Sequence, residues 1–149
     1  MTTSEPGPIL ATTDFSDPSM TAVHKAVELG GRLGAPVMLV YVVEDRVPPM
    51  IAAASSDDEE TIVARHAETA RRHIEEWVAE HVPGAGVETR VAIGAPHEAI
   101  IAVANEVGAE MIVIGRRGYG LFRHSLLGST TARVVAEATC PVLVVRRTD

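Results

Sequence analysis

The residues most suited to chemistry lie together in residues 115–130, "GRRGYGLFRHSLLGST", which hold four of the chain's twelve glycines, three arginines and no carboxylate. In a chain of net charge -7 this segment reverses the local sign. Its glycines are spaced Gly115-x2-Gly118-x9-Gly128, with Ser129 directly after the last. Glycine adopts backbone angles that other residues resist, and its missing side chain lets a bound group approach the main chain. A helix opening at Ser129 would offer unpaired amides and the positive end of its dipole, a seat for phosphate, with the Ser129 hydroxyl beside them. Arg116, Arg117 and Arg123, with His124, add positive charge that could approach a terminal phosphate. The combination suits an anion. Neither common phosphate loop is present: Gly-x4-Gly-Lys-Ser/Thr is absent, and Gly-x-Gly-x-x-Gly does not follow a first strand. The plainer reading of the same residues is a glycine-rich surface loop capped by a serine.

Strand and helix patterns alternate five times around this segment. "PILATTD" (residues 8–14) reads as the first strand. Asp17 followed by Pro18 reads as an N-cap and first helical residue, with Met20, Val23, Val27 and Gly31 on one face and Gly34 closing the helix. "PVMLVYVV" (36–43) is nearly continuous aliphatic sequence, as in a strand buried on both faces. Residues 44–60 combine a Pro pair with an acidic cluster and read as an irregular connection. A helix over about 60–81 turns Val63, Ala67, Ala70, Ile74, Trp77 and Val78 inward, with Trp77 as a core anchor. A third strand (86–94), a helix from Pro96, a fourth strand (110–115), a helix over about 129–138 with Val134, Val135 and Ala138, and a last strand "CPVLVVRR" complete the chain. This predicts one α/β domain over residues 1–149: a doubly wound, five-stranded parallel sheet of order 3-2-1-4-5 with helices on both faces. In such sheets ligands bind beyond the carboxyl ends of the strands where the winding reverses, here between strands 1 and 4. The glycine segment follows strand 4.

Composition narrows the function. With 46% hydrophobic residues but only two Phe, two Tyr and one Trp, the core must be aliphatic. Thirteen Lys and Arg against twenty Asp and Glu argue against nucleic acid or an anionic membrane as partner. No stretch approaches the ~20 apolar residues of a membrane span, and a cytoplasmic protein is expected. Cys140 is a lone, structural thiol, the six histidines form no metal motif, and no nucleophile elbow surrounds Ser125. There is no Walker lysine and no evident catalytic carboxylate for phosphoryl transfer.

Three stretches, "ILATTDFS", "GAPHEAIIAVANEVGAEMIVIGRRGYG" and "LLGSTTARVVAEATCPVLVVR", make nearly the whole chain resemble the universal stress protein family, in its nucleotide-binding branch. The gap-free glycine pattern is the most specific part, and the "CPVLVVR" ending follows. The resemblance implies an ATP-binding module of stress response or signalling, its conformation or partner binding gated by adenine nucleotide, and commonly a homodimer joined through the last strand. It also implies roles for individual residues. Gly115 and Gly118 would lie along ribose and phosphates, with Arg116 and Arg117 between them. Gly128, Ser129 and Thr130 would hold the terminal phosphates. Asp14, after Thr12 and Thr13, matches an acidic position near ribose, phosphate or a bound Mg2+, and Val42 a position whose backbone meets adenine. From the residues alone, Asp14 could instead cap a turn with Ser16, Val42 is core, and Thr12 and Thr13 could satisfy local backbone. A slow Mg-dependent ATP hydrolase and a dimeric structural module that binds no nucleotide are the alternatives. "PVLVV" would form an apolar sheet edge, which invites pairing with a second copy.

Overall fold

A computed structural model describes residues 4–116 and 127–146. The strands are β1 (Ile9–Thr12), β2 (Val37–Val43), β3 (Glu88–Ile93), β4 (Met111–Gly115) and β5 (Val142–Val145). They build one parallel sheet of order β3-β2-β1-β4-β5, the order the sequence predicts. Alternation across the pleat divides the core in two. Ile9, Ala11, Leu39 and Val113 face one layer with Ala22, Val23, Ala26, Ile74 and Trp77. Leu10, Val40, Ile112 and Ile114 face the other with Ile100, Val103, Ala104 and Val134. Trp77 anchors its layer as expected.

Helix α1 spans Asp17–Leu33, and its cap corrects the sequence reading. Ser16, not Asp17, is the N-cap: Ser16 has extended backbone and its side chain accepts the Ser19 amide, whereas Asp17 is already helical. The buried face is Ser19, Ala22, Val23, Ala26 and Gly30, so Gly30 rather than Gly31 meets the sheet. The connection after β2 is also more ordered than its composition suggests. It contains α2 (Pro49–Ala54), opened by a proline that presets the helical φ and continued by three alanines, although none of its residues is buried. Helix α3 runs Glu59–His81, capped by the Asp58 side chain on the Thr61 amide at 2.8 Å. Helix α4 covers Pro96–Val107 and ends on Gly108 in the left-handed conformation. Helix α5 covers Ser129–Glu137; Val134 is buried, but Val135, expected to face inward, is exposed. No helix among the described residues is long and apolar enough to cross a membrane.

The strands end at different heights, and this creates the site. Thr12 at the end of β1 is level with Val40, while β2 continues to Val43. Ala11 is level with Val113, and β4 runs on to Gly115. A short strand thus lies between two longer ones, leaving a notch where the winding reverses.

Neighbouring glycines in α1 test this packing. A Cβ at Gly30 would fall 2.5 Å from Val37 Cγ2 and 2.9 Å from the Ala35 carbonyl, whereas one at Gly31 meets nothing within 4 Å. Gly30→Ala is expected to lower the unfolding free energy by about 1–3 kcal/mol through overpacking. Gly31→Ala should raise it by up to about 1 kcal/mol through helix propensity. Urea denaturation of the two variants gives opposite signs.

Candidate functional site

Above the notch opens a cleft of about 1220 Å³. Its base comes from Thr12, Thr13, Asp14, Val40, Val42, Ile114 and Gly115 at the ends of β1, β2 and β4. One side is supplied by Tyr41, Glu44, Val47, Ile51, Val63 and His66, from β2, the connection and α3. Pro96 and Ile100 of α4, with residues 127–131 at the start of α5, supply the other. The β2–α3 connection lines this cleft without filling it.

The turn from β1 into α1 is a closed set of hydrogen bonds. The Thr13 amide donates to the Val40 carbonyl at 3.0 Å. Ser19 Oγ donates to the Ser16 carbonyl at 2.8 Å, so the Thr13 hydroxyl is the donor in its 2.8 Å bond to Ser19 Oγ. Thr13 Oγ1 in turn accepts the Phe15 amide at 2.9 Å. Asp14 Oδ1 accepts both the Ser16 amide, at 2.9 Å, and the Ser16 hydroxyl. This is an Asx-type turn. It makes Asp14 a turn former while its exposed carboxyl still lines the cleft.

On the opposite side, the Gly128 amide donates to the Arg116 carbonyl at 2.9 Å, and the Arg116 amide to the Val145 carbonyl at 3.1 Å. Thr131 Oγ1 donates to the Gly115 carbonyl at 2.8 Å. These bonds pin the start of α5 to the end of β4. Gly128 is the N-cap and Ser129 the first helical residue, so a ligand meets the amides of the first turn rather than that of Gly128.

Of the residues singled out in the sequence, Thr12, Thr13, Asp14, Val42, Gly115, Gly128, Ser129 and Thr130 all line this one cleft. Val42 does so while its side chain packs against the α4 layer. Arg116 stands at the end of β4 beside the cleft, tied through its backbone as described. Arg117, Gly118, Arg123 and His124 lie outside the described residues. Sequence reasoning missed Tyr41, His66 and the apolar residues Val47, Ile51 and Ile62, which also line the cleft. For Val47 and Ile51 the signal available was the presence of apolar side chains in a connection that serves neither core layer. Burial, with the nearby charges of Asp14 and Glu44, pushes the Tyr41 phenol above its ordinary pKa. Asp14 and Glu44 bring carboxylates to the cleft, which Arg46 also lines, and the α5 side carries the positive pole of a helix.

Among the described residues no group of three His, Cys, Asp or Glu is arranged to hold a metal. Cys140 is a half-buried free thiol whose pKa burial raises, which disfavours the reactive thiolate.

A doubly wound parallel sheet with a ligand-sized cleft at its switch point defines the class of α/β proteins that bind small molecules beyond their strand ends. Within that class the sequence profile of the Universal stress protein family matches residues 6–146, and the chain belongs to that family. Universal stress protein MJ0531 of Methanocaldococcus jannaschii is 30% identical over 142 residues, 93% of this chain and 81% of that protein. The structure of protein MJ0577 from the same organism superposes with a TM-score of 0.78 at 25% identity, covering 98% of this chain and 99% of the other. A universal stress protein from Archaeoglobus fulgidus, solved in complex with dAMP, shares the fold at a TM-score of 0.59 and 24% identity, covering 95% and 98%.

The β1–α1 turn makes a direct prediction. Ser16→Ala removes the N-cap of α1 and the partner of Asp14, and should lower the unfolding free energy by about 1–2 kcal/mol. Asp17→Asn, which removes only a first-turn charge, should cost no more than about 0.5 kcal/mol. Chemical denaturation of both variants separates the two assignments.

Proposed function

We propose that this universal stress protein binds an adenine nucleotide, ATP foremost, in the cleft above β1, and that occupancy gates its conformation or partner binding as part of a stress response. The observation carrying the reading is the lining of the cleft: the Asp14 turn at its base, the N-terminus of α5 on one side, and apolar side chains beside a strand-end backbone on the other. The purine lies against the apolar side, with the Val42 main chain at its edge. Ribose and phosphates follow Gly115, Arg116, Arg117 and Gly118 toward Ser129 and Thr130. Gly128 contributes by its lack of a side chain, since its amide already serves Arg116. The dAMP held by the Archaeoglobus protein supports an adenylate as the ligand class within this fold.

Asp14 fits a Mg2+ companion, because Mg2+ is commonly held by one or two carboxylates together with the phosphates of the nucleotide. Bound there, the ion would neutralise phosphate charge beside the Asp14 carboxylate. Calorimetry with ATP and Mg2+ is expected to show saturable binding, which Asp14→Ala weakens roughly tenfold, about 1.4 kcal/mol. Mass spectrometry of the supernatant from freshly purified, heat-denatured protein should find an adenine nucleotide. Absence of both binding heat and released nucleotide overturns the proposal.

The same reading includes a homodimer joined through β5. This edge strand is wholly aliphatic and Leu143 is exposed on it, whereas β3, at the opposite edge, carries Glu88 and Arg90. Charged side chains protect an edge and apolar ones invite pairing. Light scattering at micromolar concentration should give the dimer mass and Leu143→Lys the monomer mass; a monomeric wild type refutes the arrangement.

A further inference from the structure

Phe15 is the one non-glycine residue among those described with a positive φ, +65°. A bulky L-residue rarely adopts that conformation, and such outliers persist where surrounding structure over-determines them. Its surroundings here are aromatic. The ring stacks at 4.6 Å on Tyr41 and at 4.1 Å on His73, and tilts toward Trp77 at 6.2 Å. Three rings from β2 and α3 thus grip one side chain in the β1–α1 turn. Phe15 stands directly between Asp14 and Ser16, and it is absent from the cleft lining while Asp14 and Tyr41 are part of it.

The left-handed backbone at Phe15 is what lets the chain turn back on itself there. It brings the Ser16 amide and hydroxyl onto Asp14 Oδ1. Relaxation of φ to its ordinary range would rotate the Phe15–Ser16 peptide and break the Ser16 bonds to Asp14. A glycine would adopt the same angle freely, but no side chain would then tie the turn to α3. We propose that Phe15 is a positioning residue: clamped by His73, Trp77 and Tyr41, it holds the Asp14 carboxyl where the nucleotide needs it and makes that placement depend on α3. The same helix lines the cleft through Ile62, Val63 and His66. Ligand contact along the first half of α3 and control of Asp14 from its second half therefore share one rigid element. This inference rests on the nucleotide reading above and names the element through which occupancy is felt.

The test is a double-mutant cycle on ATP affinity, measured by calorimetry with Mg2+. Asp14→Ala is introduced into the wild type, into Phe15→Ala and into His73→Ala. His73 is exposed, so its truncation leaves the core intact even where Phe15→Ala fails to fold. The Asp14→Ala penalty is expected to fall from about tenfold in the wild type to below about threefold in each clamp background. A role confined to stability would lower the melting temperature of the clamp variants and leave that penalty at its full size, which overturns the proposal. Absence of ATP binding by the wild type ends the nucleotide reading and this inference with it, whereas binding with additive penalties ends this inference alone.

Discussion

The amide of Thr13 donates to the carbonyl of Val40 at 3.0 Å, and with that bond the parallel pairing of β1 to β2 ends. Both neighbours of β1 continue past this point, β2 to Val43 and β4 to Gly115. A parallel sheet sends each crossover to one face, so the faces part at the strand where the winding reverses and a crevice opens beyond the strand ends. The position of the cleft follows from one strand being shorter than the two it separates. The chain leaves β1 through a turn in which the polar groups of Thr13, Asp14, Ser16 and Ser19 serve one another. A loop so closed can hold a carboxyl in place without help from a ligand.

Charge separation is the second property of the site, and it arises on an acidic chain. At one end burial raises the Tyr41 phenol above its ordinary pKa, and the carboxylates of Asp14 and Glu44 add to the shift. At the other end α5 presents its first turn, anchored by Gly128 to Arg116 and by Thr131 to Gly115. Between the ends the lining is aliphatic, a consequence of composition: a core built from Val, Ile, Leu and Ala meets the cleft with the same residues. In the proposed binding mode the purine takes the aliphatic lining and the phosphates the start of α5. Among the described residues, aromatic rings from β2 and α3 gather around Phe15 in the β1–α1 turn, and one of them, Tyr41, also lines the cleft.

Much of the architecture was legible before folding. Aliphatic runs of four to seven residues separated by helical periodicities allow few arrangements, and the sheet order agrees with the expectation. The errors were local. Asp17 and Ser16 are both good caps, and the choice between them depends on which residue keeps extended backbone so that its oxygen can face the Ser19 amide. Gly30 and Gly31 cannot be told apart by spacing, since only the approach of Val37 decides which must lack a side chain. The helix in the connection was obscured by its prolines, which read as breakers until Pro49 is seen to occupy the first helical position.

For the site itself, the sequence determined the chemical inventory: a glycine- and arginine-rich segment after the fourth strand, a carboxylate after the first, a serine where the last helix opens. These are composition and spacing along the chain, which periodicity places on elements without reference to distant contacts. Tertiary structure alone decided that Asp14 and Ser129 line the same cleft, that Tyr41 and His66 join them, and that Phe15 is wedged among rings of β2 and α3. Strand register and helix packing set those distances. Both are collective outcomes of burying two aliphatic layers at once, and no local stretch of sequence encodes them.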